Sequence, residues 1–429
     1  MPRHHIILAL AALFAFCAGT ATMVRAAPME PVQTLAAKEK APLLATLKDF
    51  VSIESGSGDR EGLDNLAALI ADRLAAVGGK VEMIEPNPAD VYAMADTPKQ
   101  IGKMVLARFA GTGAKKILLI AHMDTVYLKG MLAQQPFRID GNRAYGLGIT
   151  DDKQGIALII HTLAMLKAMN FRDYGLITVL INADEEVSSP GSRSMLTKLG
   201  SEHDAVFSFE ASRVESDRLS LTTAGIGAVL LNVQGKASHA GSAPEVGRNA
   251  LYELAHQIMQ LRDLSNPTTG AKMNWTTASA GTNRNVIPAI ASAVADVRVL
   301  RIADYDGIEQ KVRERIKTQL IPDTKVEMQF ERRRPPLEMT AASQALAKNG
   351  QRIYSEIGLN LFVSETAEGG GTDAAFAALK TKAPVIERFG LRGFGAHSND
   401  AEYVEIDSIE PRLYLAARMI MDVAQDKAK

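Results

Sequence analysis

Apolar and polar positions along this chain follow two rhythms, the first of helices alternating with buried strands. Gly62 to Val77 repeats Leu63, Leu66, Leu69, Ile70 and Leu74 at helical spacing and predicts an amphipathic helix. Ile117 to Ala121 is a continuous apolar run, the signature of a strand covered on both faces. Gly155 to Met169 is helical by period. Leu176 to Ile181 and Ala205 to Phe209 are further short buried strands. A helix is predicted over Pro42 to Ser52, with the proline in the first turn, where its missing N–H costs nothing. Such alternation predicts an α/β fold, a mostly parallel sheet with helices on both faces.

The second rhythm begins near Ala224. Ala228 to Gln234 reads as a strand, Asn249 to Leu261 as a helix, and Met273 to Ala278 and Ser292 to Leu300 as alternating strands. Tyr305 to Leu320 is a charged amphipathic helix, and Lys325 to Phe330 is another strand. The order is βαββαβ, the ferredoxin-like unit. Arg332-Arg333-Arg334-Pro335-Pro336 breaks the pattern and reads as a hinge. A helix (Ser343 to Ile357), a Gly-rich turn, a strand at Val385-Ile386 and a helix from Arg412 to Val423 follow. The expected division is a main α/β domain in two parts, 27–223 and 336–429, interrupted by an inserted domain at 224–335.

Residues 1–26 stand apart as a targeting segment. Arg3, His4 and His5 precede an apolar run from Ile6 to Ala18, and Val24-Arg25-Ala26 offers a small-residue cleavage site. The run is shorter than the ~20 residues needed to span a bilayer, so the pattern is that of a secretory signal peptide and implies a periplasmic or secreted protein. The single cysteine, Cys17, lies within it; Phe16 before it argues against a lipoprotein anchor. The processed chain therefore has neither disulfides nor thiol chemistry. With 48 Lys+Arg against 49 Asp+Glu, the net charge is -1, which gives no electrostatic footprint for a nucleic-acid or anionic-membrane partner.

Candidate chemistry collects at strand ends. His122 and Asp124 follow the 117–121 strand, Asp151-Asp152 follow the turn Gly146-Leu147-Gly148, and Asp184-Glu185-Glu186 and Glu210 end the next two strands. His397 closes the set. Open α/β sheets bind ligands at the carboxyl ends of their strands. So many carboxylates would repel one another unless divalent cations stood among them, and nitrogen and oxygen donors without thiolate suit catalytic zinc. His161 and His256 on helices, and His203 before a strand, read as structural. No G-x-S-x-G elbow supports a serine hydrolase.

His122-Met123-Asp124-Thr125-Val126, Gly148-Ile149-Thr150-Asp151-Asp152-Lys153, Asp184-Glu185-Glu186, Ser208-Phe209-Glu210 and Gly395-Ala396-His397-Ser398 together resemble the motifs of the di-zinc aminoacylase/glutamate carboxypeptidase family, its secreted glutamate carboxypeptidases above all. Gly235 to Gly241 and Gly369-Gly370-Gly371-Thr372-Asp373 extend the resemblance through almost the whole chain. The resemblance implies two zinc ions bridged by Asp151, with a cis peptide to Asp152. One ion would be completed by His122 and Glu210, the other by Glu186 and His397. It implies Glu185 as general base, Asp124 as the orienter of His122, and His239 reaching into the site of a partner subunit of a homodimer. Arg298 would grip the substrate's C-terminal carboxylate, helped by Asn285, with Arg334 and Gly370 in the pocket. Arg218 stands where relatives carry a lysine that meets the side-chain carboxylate. Gln154, Ser188, Pro190 and Ala396 depart from the family pattern without touching a ligand.

The implied activity is zinc-dependent release of a C-terminal residue, glutamate foremost, from peptides or N-acyl conjugates such as folates. An aminopeptidase, dipeptidase or amidohydrolase of the same fold is the alternative. A non-enzymatic solute-binding protein is a further one, and it would have no use for Glu185.

Overall fold

A computed structural model describes residues 27–398 and 401–428. The segment expected to be a signal peptide lies outside the described residues. At the centre is a six-stranded sheet in the order 80–84, 104–110, 176–182, 116–122, 205–208, 385–386. Its last four strands pair in parallel and 104–110 alone runs against the others, so the sheet is mostly parallel as the apolar runs predict. Strand Lys116–His122 lies between two parallel neighbours, which is why both its faces are apolar. Ile117, Leu119 and Ala121 point into one core and Leu118 and Ile120 into the other. Helices Val32–Val51, Gln154–Ala168 and Ile409–Ala424 cover the first face, and Arg193–Glu202 and Ala374–Ala378 the second.

The second rhythm forms a separate antiparallel sheet in the order 272–280, 290–299, 225–234, 325–334, the ferredoxin-like arrangement for βαββαβ. It has its own apolar cluster, in which Val229, Leu231, Val297 and Ala295 meet Leu254 of helix Ala250–Gln260 and Ile308 and Val312 of helix Ala303–Arg315.

Three expectations need correction. Pro42 lies inside helix Val32–Val51, not in its first turn. Packing of Val32, Ala36, Leu43, Leu47 and Phe50 into the core carries the helix across the hydrogen bond that proline cannot make. The helix predicted to reach Leu320 ends at Arg315, because the buried Glu253 carboxylate takes the Leu320 and Ile321 N–H groups at 2.8 and 2.7 Å and turns the chain. Strand Lys325–Arg334 continues through the three arginines, so the direction changes only at Pro335-Pro336.

A small sheet in the order 138–140, 143–145, 403–405, 392–394, 212–213 was not foreseen, since strands of two or three residues show no period. It carries the chain from Arg392–Phe394 to His397.

Leu119 is fully buried in the middle of the parallel sheet, paired with Val179 and Phe207. Leu119→Ala should cost ~2–5 kcal/mol of stability through the cavity it leaves, measured by urea denaturation.

Candidate metal centre

The strand ends converge as the apolar runs imply. His122 closes strand Lys116–His122, and its Nε2 lies 2.9 Å from Asp151 Oδ1 and 3.4 Å from Glu210 Oε1. His397 Nε2 lies 3.2 Å from Asp151 Oδ2 and 3.0 Å from Glu186 Oε2. Two groups result, His122–Asp151–Glu210 and Asp151–Glu186–His397, each with its donor atoms within 4.8 Å of one another. Asp151 belongs to both.

Backbone geometry and buried acids hold these donors. The Asp151–Asp152 peptide is cis. Gly148 before it has φ +69°, and a Cβ there would stand 2.4 Å from Thr125 Cγ2, so only glycine fits the turn. Glu402, 3 % exposed, accepts N–H bonds from Gly148, Thr150 and Asp151 at 3.0, 2.8 and 3.1 Å, and Tyr127 donates its hydroxyl proton to it. Asp124 is fully buried and accepts the Glu185 and Glu186 N–H groups at 3.0 and 3.1 Å and the Ser57 hydroxyl at 2.7 Å. Its Oδ1 stands 3.3 Å from His122 Nδ1. Gln154, at the start of the helix after the Asp pair, donates to Asp152 Oδ1 and to the Phe209 carbonyl beside Glu210.

Glu185 is buried, with Arg334 Nη1 2.6 Å from its Oε1 and Arg334 Nη2 donating to its carbonyl. Asp373 holds the same guanidinium at 3.0 Å.

Titration follows from this crowding. Burial pushes Glu185 well above the usual carboxylate range, with Arg334 opposing it. Burial, then repulsion from Asp151, lifts Glu186 to about 7. Hydrogen bonds to Asp151 and Glu186 raise His397 to about 11. For His122, burial disfavours the charged ring, but Asp124, Asp151 and Glu210 outweigh it and hold its pKa well above normal. The imidazoles thus act as cations toward the carboxylates. One Glu186 oxygen, Oε1, is buried with no hydrogen-bond partner. Imidazole and carboxylate donors, a shared carboxylate and an unpartnered buried oxygen fit a pair of divalent cations, and the absence of thiolate fits zinc in an open site.

A cavity of about 360 Å³ opens beside both groups. Glu185, Arg298, Arg334 and Gly370 are in its wall. Arg298 is engaged there by Asp296 and by the Gly369 carbonyl. Arg218 is not in the wall; it pairs with Glu368 behind it. His239 and Asn285 are exposed on adjoining loops of the second sheet, joined by the Ala240 N–H to Asn285 carbonyl bond, and are not in the wall either. His161 is bonded to Thr46 and Glu39, and His203 to Leu199 and Thr178, as expected of structural histidines.

Sequence reasoning missed Glu402 and gave Asp373 no role. Asp373 had a signal in the Gly-rich turn before it. Glu402, an isolated acid past His397, had none.

Among the described residues no helix is long and apolar enough to cross a membrane. Solved structures share the fold: aminopeptidase PepT from Bacillus cereus ATCC 10987 superposes with a TM-score of 0.72 at 19% identity over 90% of this chain and 99% of that one. The M20 family metallo-carboxypeptidase Sso-CP2 from Sulfolobus solfataricus does so with 0.71 at 16% identity over 89% and 99%. Carboxypeptidase G2 of Pseudomonas sp. (strain RS-16) is 42% identical over 426 residues, 99% of each chain. A succinyl-diaminopimelate desuccinylase of Wolbachia pipientis subsp. Culex pipiens (strain wPip) is 28% identical over 314 residues, 69% of this chain and 76% of that protein. The model of peptidase family M20/M25/M40 matches residues 118–422, the stretch that carries every donor of the two groups, and the chain belongs to that family.

Proposed function

We propose that this metallo-carboxypeptidase is zinc-dependent and hydrolyses the amide bond to a C-terminal amino acid, glutamate above all, in peptides or N-acyl conjugates such as folates. The observation that carries the reading is the pair of donor groups sharing Asp151 with a buried carboxylic acid, Glu185, at their side.

In this reading His122, Asp151 and Glu210 hold one ion, and Asp151, Glu186 and His397 the other. Zinc bound by these residues would lower the pKa of a water and polarise the scissile carbonyl. Glu185 takes a proton from the attacking water and delivers it to the amide nitrogen as the C–N bond breaks. Arg334 keeps that carboxylate aimed at the cavity and opposes the effect of burial on its charge. The Asp124 carbonyl accepts the Nδ1–H of His122 at 3.1 Å, with its carboxylate 3.3 Å away, and that carboxylate fixes the Glu185-Glu186 backbone, so ligand and base share one anchor. Arg298, in the cavity wall, takes the substrate's C-terminal carboxylate with the N–H groups that Asp296 and the Gly369 carbonyl leave free.

Residues 224–335 form an inserted domain in this reading, and it brings two chains together as a homodimer. Exposed Leu251, Tyr252 and Met259 on helix Ala250–Gln260 support an apolar contact there. Across that contact His239 donates to the developing oxyanion, assisted by Asn285. The apolar run of residues 6–18 supports export to the periplasm or beyond.

Three measurements test the reading. Glu185→Gln should retain two zinc ions per chain by elemental analysis while turnover of N-acyl-glutamates falls about 10²–10⁴-fold. Retained turnover assigns the base elsewhere. Arg298→Ala should raise KM for substrates with a free C-terminal carboxylate about tenfold or more, the effect of a lost charge-assisted pair. An unchanged KM removes the clamp and favours an aminopeptidase or other amidohydrolase of the same fold. Chelation should abolish hydrolysis, and added zinc should restore it.

A further inference from the structure

Four guanidinium groups wall the cavity, those of Arg213, Arg298, Arg334 and Arg388. Three have carboxylates within bonding distance. Arg334 is held by Glu185 and Asp373. Arg298 sets Nε and Nη2 against Asp296 and Nη1 against the Gly369 carbonyl. Arg213 aims Nε and Nη2 at one oxygen of Glu368, and Arg218 takes the other.

Arg388 differs. Its Nη1 donates to the Ala211 carbonyl at 3.0 Å, and its Nη2 stands 3.7 Å from Glu368, beyond hydrogen-bond reach. A guanidinium carries five N–H donors, so most of its capacity is not met by the protein. Around Glu368, three positive side chains face one negative one. The position itself is specified. Arg388 has φ +61°, a region unfavourable for any residue with a side chain, and such conformations cluster where ligands are clamped. Its neighbours Glu387 and Phe389 are fully buried, Phe389 against the rings of Phe207 and Phe209, so the chain is anchored on both sides of the turned residue.

We propose that Arg388 is a specificity-determining residue that takes the second, side-chain carboxylate of the residue to be released, with the Ala211 carbonyl holding its guanidinium at the cavity wall. The site then selects dicarboxylic over neutral C-terminal residues. The inference rests on the exopeptidase reading above and adds the group that reads the acidic side chain.

The test compares N-acyl-glutamate with its neutral isostere, N-acyl-glutamine, using the zinc-loaded enzyme. For Arg388→Gln and Arg388→Ala, KM for the glutamate substrate should rise about tenfold or more, the effect of losing a hydrogen bond to a charged group. Its kcat and the KM for the glutamine substrate should stay within about twofold, below the effect of a single net hydrogen bond. Arg388→Lys, which keeps the charge, should recover part of the preference. Bound zinc and circular dichroism should match the wild type in all three. An equal rise in both KM values, or an undiminished glutamate preference, overturns the proposal. Wild-type enzyme that releases glutamate without preferring it over glutamine overturns the inference alone, whereas release of neither residue overturns the exopeptidase reading as well.

Discussion

Asp151 offers one oxygen to His122 and the other to His397, and that shared carboxylate sets how closely the two donor groups can stand. Sharing has a steep electrostatic cost, because Glu186, Glu210 and Glu185 crowd the same rim. The fold meets it in two ways. Backbone N–H groups and hydroxyls surround the acids that support the donors, Asp124 and Glu402, and fix them in position. The donor atoms face one another across each group, and one Glu186 oxygen has no hydrogen-bond partner, so their charge is available to cations. The imidazoles show the same demand by holding protons far above their normal range when carboxylates are their only company.

Arg334 joins this centre to the second sheet. It is the last residue of strand Lys325–Arg334, yet its side chain is buried between Glu185 and Asp373 of the main layer. A buried pair of this kind contributes little net stability, because desolvation offsets attraction. Its value is geometric. The end of one sheet dictates where the acid beside the metal-capable groups points.

Much of this was legible in the sequence, for reasons that differ by element. The 116–122 and 176–182 strands announce themselves because they lie inside the sheet with an apolar core against each face. The donor residues are readable because each directly follows such a run or a glycine turn, so placing the strand places the ligand. The supporting acids follow no such rule. Glu402 reaches the 148–151 turn from 250 positions or more away, and its burial is visible only once the small sheet of very short strands has formed. Arg334 sits in a run that reads as a charged hinge, yet it is enclosed because two acids on another layer neutralise it. Helix Val32–Val51 crosses Pro42 because core packing exceeds the local penalty.

The Glu402 cradle also orders events in time. The acid common to both donor groups, Asp151, hangs from a loop whose N–H groups are gathered by a residue synthesised long after it, and the last imidazole donor, His397, is nearly as late. A chain emerging from the ribosome, or threaded unfolded through a translocation channel, has no complete cage until almost all of it is through. Mineralisation is thereby coupled to completion of the chain, and the compartment in which folding finishes decides which ion the protein first meets.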